Sequence, residues 1–427
     1  MNTKKLKLII EYAFRREFYQ SYWGINISDI HHLIDEGLFH TLPLTRKSDI
    51  RDHWNRLIEY GDATDFVSSS GTTGRPVDIP VHRLQEQIWV DSVARVLREL
   101  GAKQGDRMIQ LLSNNDMFTL GPLVWQAAKN IGVGVFRCSP QRSNRILSIM
   151  EHHNPQFIVG NPLVLIDIAE SLGNTFPDKS MLPKYAYLGA CASFDSNNNL
   201  TATSQKVKDI WGFEEMLNEY GCSEIGSIGH ECTYHNGFHI NDDYVYVELI
   251  DPETGKPAEK GHSGEVVVTT LTQPRGFAAV RYATGDIASW LDHSPCHCGR
   301  SGARLGAIVG RVDHQLKVKG QTIYPELILN IAEKSGLASN TIVVRYKDDL
   351  DREQSELWVE PKEGLNCSDD SIANHIIDAL QTHIAVSPTV RVVNKGIIDS
   401  LKSTALSRSN GVKIPQLIDI SHPEEYI

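Results

Sequence analysis

The chain predicts an α/β protein in two parts, a large N-terminal region of mixed sheets with helices and a smaller C-terminal α+β module, on three observations. First, short apolar runs (Met108–Leu112, Val133–Phe136, Phe157–Gly160, Tyr185–Gly189) alternate with stretches of helical spacing. Runs of that length bounded by helices fit buried parallel strands. Second, residues 244–270 change character. Tyr244–Ile250 and Glu265–Leu271 flank Asp251-Pro252-Glu253-Thr254-Gly255 and read as strand, turn and antiparallel strand. Third, the pattern restarts after Arg311. Gln315–Val318, Thr341–Tyr346, Glu356–Val359 and Val390–Val393 read as strands, while Pro325–Ser335 and Ser371–Ile384 have helical spacing.

Ahead of these elements, residues 1–60 carry helical periodicity through Leu33, Ile34, Leu38, Leu42 and Leu44. Lys4–Glu11 reads as an amphipathic helix whose apolar stretch is too short for a signal peptide. His82–Leu100 spaces Ile88, Val90, Val93, Val96 and Leu97 as a helix does. The 427 residues carry a net charge of −11 with Lys and Arg scattered, which argues against a nucleic-acid partner. No apolar run approaches the ~20 residues of a membrane span. Seven cysteines, an odd number, without a secretory signal point to a reducing compartment, so a cytoplasmic location is expected.

The most informative stretch is Ser68-Ser69-Ser70-Gly71-Thr72-Thr73-Gly74-Arg75-Pro76, set between Asp65-Phe66-Val67 and the alternating Val77–Val81. It reads as a loop between strands. Glycines let backbone N–H groups crowd around an anion, hydroxyls add donors and Arg75 adds charge, so a polyphosphate is the natural guest. It is not a Walker loop, which needs Lys-Ser/Thr after its last glycine and then a helix. A Ser/Thr/Gly surface hairpin is the other reading. Later come Tyr220-Gly221-Cys222-Ser223-Glu224, then Arg281-Tyr282-Ala283-Thr284-Gly285-Asp286, and then Gly310-Arg311-Val312-Asp313 followed by Lys317-Val318-Lys319-Gly320.

These four blocks, in this order, resemble the motifs of the adenylate-forming (acyl-CoA synthetase) superfamily. The short length and the run Gly264–Leu271 look most like its phenylacetate–CoA ligase branch. The resemblance implies an adenylation domain, residues 1–312, and a mobile C-terminal domain, residues 313–427, turning about Asp313. It also implies ATP, Mg2+, a carboxylic acid and coenzyme A. Ser69, Ser70, Gly71, Thr72, Thr73, Gly74 and Arg75 would cradle the phosphates, with Arg75 in place of the more frequent lysine. Tyr220, Gly221 and Ser223 belong to the segment facing the phosphates. Glu224 would hold Mg2+, since that ion is usually bound by one or two carboxylates together with phosphate oxygens. Asp286 would accept from the ribose hydroxyls, and Arg311 would be a second nucleotide contact. Gly189 and Ala190 match a stretch lining the adenine, where Cys191 replaces an acidic residue. The late catalytic lysine falls on Lys413 when counted back from Asp419, with Lys402 as the alternative.

Two further constellations stand apart. Cys232 and His239 precede Cys296-His297-Cys298 by about sixty residues, and two short Cys/His clusters can supply four ligands to a structural zinc. Cys232, His239, Cys296 and Cys298 are the expected set, with His230, His235 and His297 as rivals for the histidine place. Ser113–Thr119 falls where the resemblance puts the acid pocket. There Phe118 suits stacking on a ring or plain core packing, and Asn115 suits a hydrogen bond to a ring substituent, which favours a hydroxy- or amino-substituted aryl acid. The acceptor is expected to be coenzyme A, with an amine or a carrier-protein thiol as alternatives, and a homodimer stays open. A nucleotide-binding protein without turnover is the reading from a different class.

Overall fold

Alternation of buried strands with amphipathic helices builds the main sheet. In this computed structural model, the residues described are 3–69, 75–189, 192–195, 197–259, 261–272, 275–291, 294–318, 321–348, 352–384, 388–409, 415–421 and 423–426. They fall into two compact units, Met1–Ser69 with Pro76–Ile308, and a second that contains Val309–Ile427.

In the first unit, five strands run parallel in the order Glu215–Cys222, Tyr185–Leu188, Phe157–Gly160, Arg107–Gln110, Gly134–Arg137. Three antiparallel strands extend the sheet beyond Glu215–Cys222, namely Gly226–His230, Phe238–Ile240 and Arg304–Leu305. The apolar runs read as buried strands are four of these parallel strands, with all four residues of Phe157–Gly160 buried, but Gly134–Arg137 is the sheet's edge strand and buries none of its residues. One face carries Ile109, Ile158, Ala186 and Met216 against helices Ser143–His153, Pro162–Leu172 and Ala202–Trp211. The other presents Val159, Tyr187 and Leu217 to helices Arg83–Glu99 and Leu120–Ile131 through Trp89, Val93, Leu123 and Val124.

Val245–Ile250, Ser263–Thr270 and Tyr282–Ser289 pair antiparallel in chain order, as the turn Asp251–Gly255 predicts. The phosphate-loop sequence joins Asp65–Ser68 to Asp78–Val81, which pair antiparallel. The N-terminal helices Thr3–Ala13, Glu17–Trp23 and Ile27–Asp35 bury Leu6, Ile10, Phe18, Tyr19 and Ile30 in the same core. Tyr19 donates from its hydroxyl to Ala278 O at 3.0 Å, and Thr45 pairs by its backbone with Arg281 and Ala283. The segment ahead of the phosphate loop is thus joined to the strand that carries Asp286.

In the second unit the strand order is Thr389–Val392, Glu353–Pro361, Ala338–Lys347, Leu417–Asp419. Helices Pro325–Lys334 and Asp369–His383 cover one face, and Ile397–Ser409 lies with Ile342, Val344 and Trp358 on the other. The last helix and the last strand have no counterpart in the sequence reading. The helix has little amphipathic pattern of its own, since among its described side chains only Ile398 and Leu401 are buried.

Candidate active site

The strand Glu215–Cys222 leaves the parallel part of the sheet and turns back at once into Gly226–His230, with a register shift between Tyr220 and Gly221. Two glycines make that turn possible. A Cβ on Gly221 would lie 2.3 Å from Gly226 O, and one on Gly226, whose φ is +83°, would lie 2.4 Å from the Trp89 ring. The turn drives Glu224 inward to 3 % exposure, where Lys47 Nζ meets its Oε1 at 3.0 Å. Burial works against the Glu224 carboxylate. The charge and hydrogen bond of Lys47, helped by its own backbone N–H and the Tyr282 hydroxyl, nevertheless hold its pKa below the ordinary value. Ser223 accepts from Thr119 Oγ1 at 2.9 Å. Thr119 closes the loop Ser113–Thr119, which passes Asp116 and Met117 through left-handed conformations (φ 57° and 56°) and receives the Ser68 N–H on Met117 O at 2.9 Å. The Glu224 turn, the acid-pocket segment and the base of the phosphate loop are therefore neighbours within one unit.

Tyr220 reaches the strand Tyr282–Ser289. Its hydroxyl donates to Asp286 Oδ2 at 3.0 Å and lies 3.3 Å from Thr284 Oγ1. Burial, then the charge of Asp286, raise the phenol pKa well above its usual value, so Tyr220 remains a donor. Asp286 is half-buried and sits inside the strand Tyr282–Ser289. The strand runs on because Ile287 and Ala288 are apolar and pair with Glu265 and Gly264.

The remaining expected residues distribute as follows. Ser69 is buried and closes the base of the loop, its Oγ accepting the Val77 N–H at 2.9 Å and its own N–H donating to Val77 O at 3.0 Å. Arg75 is exposed. Ser70, Gly71, Thr72, Thr73, Gly74, Ala190, Cys191 and Lys413 lie outside the described residues. Gly189 follows the strand Tyr185–Leu188, and a Cβ there would press to 2.9 Å on Leu120 Cδ2. Phe118 is half-buried and packs against the main core, while Asn115 is exposed and its N–H donates to Ser113 Oγ at 3.0 Å. In the second unit Arg311 pairs with Asp313 at 3.3 Å. Lys402 donates to Asn340 Oδ1 at 2.7 Å, and burial lowers its pKa against the pull of Glu333, Asp399 and Glu360.

Sequence reasoning missed Lys47 and Thr119, which no local pattern marks. It also missed Glu219, the residue before Tyr220, which accepts the Tyr187 hydroxyl beneath helix Arg83–Glu99. Burial pushes Glu219 up to about 6, against hydrogen bonds from Ser227 and Tyr187.

Away from the turn, the Cys/His clusters come together. The ligand atoms of Cys232, His239, Cys296 and Cys298 all lie within 4.8 Å of one another. Cys232 Sγ is 3.7 Å from Cys296 Sγ, and Cys298 Sγ is 3.4 Å from His239 Nε2. A tetrahedral zinc with Zn–S of about 2.3 Å has S···S edges of ~3.8 Å, which the Cys232–Cys296 pair matches, so the donor set suits that ion. His239 is pushed down to about 4 by burial and by Arg300 and Arg304, which keeps its imidazole neutral as a ligand must be. The three rivals are engaged elsewhere. His235 pairs with Glu215 at 2.8 Å, His230 accepts from Arg300 at 2.7 Å, and His297 lies against the Tyr234 ring. The turn Cys296–Gly299 holds because Gly299 N–H donates to Cys296 O and Cys296 N–H donates to Arg300 O.

No protein-family model matches the chain. A phenylacetate-coenzyme A ligase of Thermus thermophilus is 29% identical over 98% of this chain and 96% of its own length. The phenylacetate-coenzyme A ligase of Escherichia coli is 24% identical over 93% and 91% respectively. Among solved structures, a 2-hydroxyisobutyryl-CoA ligase in complex with 2-HIB-AMP matches with a TM-score of 0.79 at 18% identity, covering 99% of this chain and 89% of that one. At that identity the likeness establishes the fold.

Proposed function

We propose that this chain, a homologue of the phenylacetate–CoA ligases with the adenylate-forming fold, activates a carboxylic acid with ATP and passes the acyl group to coenzyme A. The acid carboxylate attacks the α-phosphorus, an acyl adenylate forms and pyrophosphate leaves. The thiol of coenzyme A then displaces AMP to give a thioester. The observation that carries this reading is the buried, ionised Glu224, set beside Ser223 in a turn whose preceding Tyr220 holds Asp286. Charge building on the phosphates calls for preorganised donors and a cation at such a place. Mg2+ would be held by Glu224 and phosphate oxygens, and it supplies Lewis-acid neutralisation of that charge. Asp286, kept in place by the Tyr220 hydroxyl, is the acceptor for ribose hydroxyls.

The finer assignments belong to the same proposal. The phosphate loop Ser69–Arg75 cradles the polyphosphate, and Gly189 with Ala190 lines the base. Residues 313–427 form the mobile part, with Arg311 at its entry and Lys413 as the lysine that reaches the α-phosphate. The acid is aromatic, with Phe118 lining its pocket. Cys232, His239, Cys296 and Cys298 hold a structural zinc that pins two loops of the first unit.

The test is pyrophosphate release with benzoic, hydroxybenzoic, aminobenzoic, phenylacetic and short aliphatic acids, each with and without coenzyme A. Release confined to aryl acids, with thioester found by mass spectrometry, is the expected outcome. Acid-dependent release without thioester would move the acceptor to an amine or a carrier-protein thiol. No release with any acid would leave a nucleotide-binding protein without turnover.

A further inference from the structure

On the first unit, a solvent-open cavity of about 370 Å3 is lined by Arg95, Arg98, Glu99, His230 and Arg300. Its volume is at the small end of the roughly 300–1,000 Å3 typical of ligand sites. Its charge is at odds with the chain that bears it. Three guanidiniums and one carboxylate face the space, in a protein of net charge −11. Two of the guanidiniums are anchored from one side. Arg95 lies 2.5 Å from Asp243, a residue outside the lining, and Arg300 lies 2.6 Å from Glu99. Arg98 has no carboxylate partner among the described residues, and it stands one turn after Arg95 on the same helix.

His230 lies at 3 % exposure, and Arg300 Nη1 approaches its Nε2 at 2.7 Å. A guanidinium only donates, so Nε2 accepts and the ring is neutral. Arg300 is fixed a second time by the fold, because its carbonyl accepts the N–H of Cys296 in the metal-cluster turn. The cavity is therefore built by residues held in place, with a free cation at its rim.

We propose that this cavity binds a phosphate group, with Arg98 and the exposed sides of Arg95 and Arg300 as the donors. A planar guanidinium fork matches phosphate oxygens in pairs, and Arg98 offers it. Arg95 already gives both terminal nitrogens to Asp243 and Arg300 gives its own to His230 and Glu99, so these two contribute charge and their remaining N–H groups. The phosphate could reach it free in solution or as part of a larger molecule. Within the proposed reaction the 3′-phosphate of coenzyme A is such a group, and that arm alone rests on the proposed function.

The test is isothermal titration of the whole protein with inorganic phosphate, pyrophosphate and adenosine 3′,5′-bisphosphate, repeated for Arg98→Ala and Arg98→Glu. Lys208→Ala, on the exposed side of another helix, serves as a charge-matched control. Binding by wild type that weakens about tenfold in Arg98→Ala, and further in Arg98→Glu, with the control unchanged, is the expected result. Because Arg98 is exposed, circular dichroism of the variants should match wild type, and a variant that does not fold is replaced by Arg98→Gln. If the site serves coenzyme A, Arg98→Glu raises the KM for coenzyme A with kcat unchanged, and dephospho-coenzyme A shows no such difference. Binding of inorganic phosphate without that kinetic effect supports the site and assigns it to a free ligand. Absence of thioester formation by any variant, with phosphate binding intact, fails the ligase reading and leaves the site standing. No Arg98-dependent binding of any of the three probes overturns the proposal.

Discussion

Lys47→Met is the most discriminating single change. The Lys47 side chain is 24% exposed and Glu224 3%, so the variant leaves a nearly buried carboxylate without its counter-charge. Removing one partner of a fully buried pair costs about 3–5 kcal/mol, and the partial exposure of Lys47 places this case at about 2–3 kcal/mol. At roughly 2 °C per kcal/mol for a domain of this size, the melting temperature at pH 7.5 should fall by about 4–6 °C. The pH dependence has a fixed sign. Because Lys47 holds the folded pKa of Glu224 below that of an unfolded glutamate, the pair's contribution is fully present above about pH 4.3 and is lost as pH falls through the lowered value. The deficit of the variant should accordingly be widest near neutrality and shrink toward acid. If Glu224 also takes Mg2+, a cation replaces the missing ammonium, and Mg2+ with ATP should close most of the gap. Differential scanning fluorimetry from pH 3 to 8, with and without Mg2+·ATP, measures all three effects. A variant that melts with wild type at pH 7.5, or a gap that Mg2+·ATP leaves untouched, would refute the assignment of Glu224.

Other perturbations address separate parts of the molecule. Cys298→Ser should reduce the zinc found in purified protein from about one equivalent to well below it, as measured by plasma emission spectrometry, since structural zinc takes four ligands. Tyr220→Phe removes the 3.0 Å hydrogen bond to Asp286 and should raise the KM for ATP about three- to tenfold while kcat falls less, a split that steady-state kinetics resolves. Glu219, raised from 4.5 to about 6, binds its proton more tightly when folded, so wild-type stability should decline by at most about 2 kcal/mol as pH rises between those values. Glu219→Gln should flatten that segment of the urea-denaturation profile, and an unchanged slope would mean another group titrates there.

Much of this arrangement was legible, and the reasons differ by element. The central parallel strands announce themselves because both faces are buried, which demands unbroken apolar runs such as Phe157–Gly160. The hairpin around Asp251–Gly255 is written in its turn residues. The Cys/His cluster could be picked out from residue type alone, since few other roles gather three sulfurs and an imidazole. The strand Phe238–Ile240, which carries His239, and the segment after Gly226–His230, which carries Cys232, then only needed to meet the loop at Cys296. What could not be read are contacts between residues distant in sequence that carry no distinguishing type. Lys47 is one lysine among many, and only the antiparallel return at Gly226 and the packing of the N-terminal segment bring it to Glu224. Asn115 was given a recognition role by its place in the chain, and it stands exposed on a loop whose last residue, Thr119, bonds Ser223, a contact that no residue type announces.

The position of Lys47 traces to Arg281, the first residue of the Arg-Tyr-Ala-Thr-Gly-Asp block. Arg281 is 2 % exposed, adopts φ 46°, pairs with buried Glu248 at 3.1 Å and donates to Leu42 O. Its own carbonyl accepts the Thr45 N–H at 2.9 Å, and Ala283 N–H returns a bond of the same length to Thr45 O. A non-glycine residue in the left-handed region costs about 1 kcal/mol or more, and it persists only where surrounding contacts over-determine it. Here those contacts clamp residues 42–45 against the strand that continues to Asp286 and start the helix Lys47–Asp52 beside the Glu224 turn. The arginine thus links the strand of Asp286 and the surroundings of Glu224 through one buried guanidinium. Arg281→Lys, which keeps the charge but not the fork, should therefore disturb both sides together: weaker ATP binding and a lower melting temperature, of which Mg2+·ATP restores only part.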